Sequence, residues 1–141
     1  MAMAPLLKIC GLRQPDQAEA VARLGVDAIG VIGVQTSPRW VPPSERPQLF
    51  RRIATVAPAC ARVLVVADPA DPELALLDAR AGHSVLQLHG DESPQRCSEL
   101  RQQLPGLVLW KALRIRQPAD LERAAAYGEM VDALLLDAWV P

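Results

Sequence analysis

The sequence predicts an α/β protein built on a parallel sheet. Three observations carry that prediction. Short runs rich in Val, Ile and Leu alternate with segments of helical period along the whole chain. Most runs are apolar at nearly every position, as strands covered on both faces require. The helical segments open at proline or serine and close near glycine, the asymmetry that helix ends favour.

The elements follow in order. The first run, 6–10, places Lys8 and Cys10 on one side by strand alternation, and Gly11 ends it. Gln14-Pro15 opens a helix over 15–24, with Ala18, Val21 and Ala22 on one side and Gly25 as its stop. The second run, 28–34, contains Gly30 and Gly33, which permit close backbone approach. Ser44 opens a helix over 44–56 whose Leu49, Ile53 and Val56 share a face. The third run, 62–67, leads to Asp68; a helix over 72–80 follows from Asp71-Pro72 and ends at Gly82. The fourth run, 85–89, places Gln87 and His89 on one side and leads to Asp91. Ser93-Pro94 opens a helix over 94–104, closed by Pro105-Gly106. The fifth run, 108–113, carries Lys111 and leads to Arg114. Gln117-Pro118 opens a helix over 118–127 before Gly128, and the sixth run, 133–137, ends at Asp137. The expectation is six strands and five helices in one domain, 1–141, joined by right-handed crossovers. Two closures of this pattern compete: an open doubly wound sheet, or part of an eightfold barrel, which typically takes about 200–250 residues.

Composition narrows the function. Half of the 141 residues are apolar and 22% are charged, which excludes a disordered chain. Fifteen basic residues against 16 acidic ones leave a net charge of −1, which argues against a general binder of nucleic acid or anionic membrane. The three cysteines, Cys10, Cys60 and Cys97, are odd in number and have no CxxC spacing. A disulfide framework and a structural zinc site are therefore not expected, and a cytoplasmic chain with reduced thiols is. No signal peptide or membrane span is expected, since the first residues lack a basic stretch and no long apolar run occurs. Dinucleotide and nucleotide loops, GxSxG and HExxH are absent, so no cofactor and no metal are expected.

Sites in parallel α/β folds form where strands end. Here six successive strand ends deliver Cys10, Arg39, Asp68, His89 with Asp91, Lys111 with Arg114, and Asp137. These groups form one shared site, or they only mark where strands stop. Lys8, two residues before Cys10, either favours a thiolate there or is a surface lysine. His89 either faces a ligand or bonds a backbone carbonyl.

Several stretches resemble the phosphoribosylanthranilate isomerase family. They are Lys8-Ile-Cys-Gly-Leu12, Ala28-Ile-Gly-Val-Ile32 with Ser37-Pro38-Arg39, and Val85-Leu-Gln-Leu-His-Gly-Asp-Glu-Ser-Pro94. Lys111-Ala112-Leu113-Arg114 and Leu134-Leu-Leu-Asp137 complete the series, in the family's order and spacing. The resemblance implies an incomplete TIM-type barrel, six strands and five helices of an eightfold one. It implies a cofactor-free Amadori rearrangement of a phosphorylated substrate in tryptophan biosynthesis, with Cys10 as general base and Asp137 as general acid. It further implies that Arg39, Lys8 and His89 bind substrate. The family's phosphate loops follow strands seven and eight, which the six-strand pattern does not include. Arg13 stands where the family often has threonine, and Gly33 where phenylalanine is frequent. The sixth strand, within 131–136, is expected to be an apolar edge open to self-association. The competing expectations are an inactive fragment of such an enzyme and a small open-sheet binding module.

Overall fold

The computed structural model describes residues 4–138; residues 1–3, on which the reading of the amino terminus partly rests, lie outside them. The strands are β1 (Lys8–Cys10), β2 (Ala28–Ile32), β3 (Ala61–Val66), β4 (Val85–Leu88), β5 (Val108–Ile115) and β6 (Ala133–Ala138). They form one parallel sheet in the order β1-β2-β3-β4-β5-β6. A doubly wound sheet reverses its order at a switch point; this one does not, so the incomplete barrel is the arrangement adopted.

The α-helices are α1 (Pro15–Arg23), α2 (Arg46–Val56), α3 (Pro94–Gln103) and α4 (Pro118–Ala124). Proline occupies the first turn of each, where its missing N–H leaves nothing unpaired. Arg52 of α2 bridges Asp16 and Glu19 of α1, tying the two helices together.

The third crossover departs from expectation. Residues 72–80 form no α-helix but two 3-10 segments, Asp71–Leu76 and Ala79–Ala81. Asp78 is the cause: it is extended, and its carboxylate accepts from the Arg80 N–H at 2.9 Å, starting a new turn instead of continuing the old one. The fifth expected helix is likewise divided, α4 giving way to a 3-10 turn over Ala125–Tyr127.

Strand alternation divides the core in two. Ile29, Val31, Leu64, Leu86 and Leu88 face the helices and pack with Leu49, Phe50 and Ile53 of α2 and Cys97 and Leu100 of α3. Each such large side chain contributes about 1.5–3 kcal/mol by leaving water. Ala28, Ile32, Val63, Val65 and Val85 form a second cluster on the helix-free face, with Trp110 packed against it. That second face leads to the strand ends where the candidate site lies.

Candidate functional site

Lys8 stands on the helix-free face of β1, in register with Ala28. Its ammonium donates to Gln87 Oε1 on β4 and lies 5.9 Å from the centre of the Trp110 ring on β5. Burial pushes the Lys8 ammonium below its ordinary pKa, while the negative charges of Cys10 and Asp137 pull it back up. One cation on β1 thus feels both residues singled out for the chemistry, one beside it and one on the far strand of the sheet.

Cys10 is a free, exposed thiol at the end of β1. Its register partner is Gly30, and a Cβ on that glycine would lie 2.7 Å from Cys10 Sγ and 3.2 Å from Lys8 Cε. Gly30 therefore makes room for both side chains. Gly11 follows with φ +95° and donates its N–H to Gly30 O at 2.8 Å. Arg39 folds back over Gly11 and donates to Cys10 O at 3.1 Å. The arginine and the thiol thus share one rim position, joined through the backbone.

Asp137 is in register with Arg114 of β5. It lines a cavity of about 370 Å³ together with His89, Asp91, Arg114, Arg123 and Tyr127. His89 follows β4, its N–H bound to Val66 O at 2.8 Å and its Nδ1 buried without a partner among the described residues. Asp137 has no apolar surroundings from its strand neighbours. Leu134 and Leu136 alternate to the other face of β6, 37% and 57% exposed, and Asp137 itself is exposed.

Two further rim residues are held by structural contacts. Lys111 lines the same cavity but is only 1% exposed, its ammonium paired with Glu92. Asp68, at φ +47°, accepts from the Asp91 N–H at 2.9 Å and braces the loop after β4. Gln87, which the sequence places on one side of β4 with His89, holds Lys8, and so does Trp110, which the sequence does not single out. Alternation along β4 and β5 is the signal that places them beside it. Among the described residues no cluster of His, Cys, Asp and Glu has the makings of a metal site.

The family model for N-(5'phosphoribosyl)anthranilate isomerase matches residues 7–140. The chain is 46% identical over 135 residues to N-(5'-phosphoribosyl)anthranilate isomerase of Synechococcus sp. (strain JA-3-3Ab), covering 96% of this chain and 58% of that one. It is 45% identical over 139 residues to the Synechocystis sp. (strain ATCC 27184) enzyme, covering 99% and 63%. The chain thus spans about three-fifths of the length of these relatives. Among solved structures, phosphoribosyl anthranilate isomerase from Thermotoga maritima superposes with a TM-score of 0.81 at 24% identity, covering 98% of this chain and 63% of that one. TrpF from Jonesia denitrificans superposes with a TM-score of 0.72 at 36% identity, covering 96% and 62%. Another neighbour is a phosphoribosyl anthranilate isomerase in complex with reduced 1-(o-carboxyphenylamino)-1-deoxyribulose 5-phosphate; it has a TM-score of 0.79 at 24% identity and covers 96% and 66%.

Proposed function

The chain belongs to the N-(5'-phosphoribosyl)anthranilate isomerase family, and from that premise we propose that its site serves the Amadori rearrangement of N-(5-phosphoribosyl)anthranilate, a step of tryptophan biosynthesis. The product is 1-(2-carboxyphenylamino)-1-deoxyribulose 5-phosphate. The observation that carries the assignment of roles is Lys8, whose ammonium is favoured by the charges of both Cys10 and Asp137.

The steps follow from the groups present. Asp137, as an acid, gives a proton to the ribose ring oxygen; the C1–O bond breaks and a Schiff base forms. Cys10, as a thiolate, removes the proton from C2, and its electrons neutralise the iminium to give an enolamine. A proton then adds at C1 while the C2 hydroxyl loses one, and the ketone results. Lys8 supports the thiolate by charge. Arg39 offers a planar guanidinium to the anthranilate carboxylate, a match of fork to fork. His89 lines the cavity on the Asp137 side and contacts the substrate there.

Residues 1–141 then act as one partial barrel domain in the cytoplasm. The three free cysteines fit a reducing compartment, and no helix among the described residues is long and apolar enough to cross a membrane. The β6 edge, paired on one side by β5, supports pairing with a second chain.

Isomerase turnover, followed as loss of substrate fluorescence, tests the reading. Cys10→Ser and Asp137→Asn are each expected to lower turnover by orders of magnitude with modest loss of binding. Near-normal turnover in either variant overturns its assigned role. A folded chain with no turnover supports the inactive-fragment alternative.

A further inference from the structure

A second cavity, of about 420 Å³, opens between the loops that follow β2 and β3. None of Cys10, Lys8, Arg39, His89 or Asp137 lines it. Its chemistry is set by Arg46, the first residue of α2, which is 4% exposed.

Arg46 is anchored at one point. Its Nε donates to Val41 O at 3.0 Å, and among the described residues neither terminal nitrogen has a hydrogen bond or a carboxylate within ion-pair reach. Burial pushes the guanidinium below its ordinary pKa, and no acidic neighbour raises it. A guanidinium nevertheless stays charged in a protein, so a buried cation faces the cavity with most of its donors unused. The fold makes deliberate room for it. A Cβ on Gly33 would lie 3.1 Å from Arg46 Nη2 and equally close to Leu64 and to Val65 O.

The remaining walls narrow the class of ligand. Trp40, Leu76 and Leu77 offer an aromatic and aliphatic surface. Asp68 and Glu73 also line the cavity, but their carboxylates are held by backbone N–H groups, of Asp91 at 2.9 Å and Ala70 at 2.6 Å. Two fixed negative charges penalise a dianion such as phosphate far more than a single carboxylate. A planar carboxylate, by contrast, fits the guanidinium fork in two parallel hydrogen bonds.

We propose that this cavity binds a small monocarboxylate with an aromatic or aliphatic body, its carboxylate held by Arg46 and its body by Trp40 and the two leucines. The site is separate from the isomerase site and does not depend on that reading.

The test is an NMR titration of the full chain with benzoate, reading the Trp40 indole N–H and the Leu76 and Leu77 methyls. Benzoate is expected to shift these signals saturably, and inorganic phosphate is expected to bind at least tenfold more weakly. Arg46→Met should weaken benzoate at least tenfold. Leu76→Trp, at a 52% exposed position on the cavity wall, should do the same by filling the space with Arg46 intact. Arg39→Met should leave the titration unchanged, which separates this site from the anthranilate-binding role. Loss of binding in Arg39→Met with retention in a folded Arg46→Met overturns the proposal. So does the absence of any saturable shift, or equal affinity for phosphate.

Discussion

Glu92 and Lys111 form an ion pair at 2.8 Å with neither side chain reaching solvent. The same carboxylate accepts the Asp68 N–H at 2.7 Å and the Gly90 N–H at 3.0 Å, and Lys111 also donates to Gly90 O at 2.7 Å. The pair therefore binds the ends of β3, β4 and β5 into one rim. Lys111→Met strands a buried carboxylate and is expected to cost about 3–5 kcal/mol in urea unfolding. The double variant Lys111→Met with Glu92→Gln should cost less than the sum of the two single changes, because it removes both charges.

Thiol chemistry separates the three cysteines. Cys10 is exposed, whereas Cys60 and Cys97 are buried, and burial pushes the Cys97 thiol up to about 11. Titration of the folded chain with a chromogenic disulfide should find one fast thiol, and denatured chain should show three. Cys10→Ser should abolish the fast phase.

His83 sets a pH dependence of stability. It is 2% exposed beside Phe50, its Nε2 bound to Leu77 O at 2.8 Å, and burial lowers its pKa. The folded state thus favours the neutral ring, and stability is lost as pH falls through the unfolded value of about 6.5 toward the lower folded one. Urea midpoints should drop as pH falls from about 7 through the unfolded value. His83→Gln, which keeps a donor for Leu77 O, should flatten that drop. An unchanged slope refutes the assignment.

Gly30→Ala probes the packing beneath Cys10. The added methyl would meet Cys10 Sγ at 2.7 Å and Lys8 Cε at 3.2 Å. The expected cost to stability is about 1–3 kcal/mol. The rate of Cys10 modification should change as well, since the thiol and its cation must move apart. A methyl accepted with neither effect contradicts the geometry.

The strand pattern was readable because most strands are apolar at nearly every position and the helices between them open at Pro or Ser, signals that local chemistry imposes. The candidate residues Cys10 and Asp137 lie toward the ends of β1 and β6, where the strand runs place them. Other features depend on spatial neighbours. The 72–80 stretch has helix-forming residues and a proline start, yet Asp78 competes for the backbone and breaks it. Lys111 begins a rim motif in sequence, but its buried ammonium is taken up by Glu92, nineteen positions earlier. Arg46 lies within the predicted 44–56 helix with no local signal of burial; the space beside Gly33 accommodates its guanidinium.

The strict succession of β1 to β6 also dictates an order of assembly. Every strand finds its earlier partner one crossover back along the chain, so each pairing closes a short loop and none waits for a distant segment. As synthesis proceeds, the sheet extends from one side, each new strand docking on a template already laid down. Lys8 and Gln87, on strands far apart in that order, come into contact only after the intervening strands are in place. Among the described strands, the candidate rim is therefore a late product of folding, since Asp137 joins it only when β6 docks on β5.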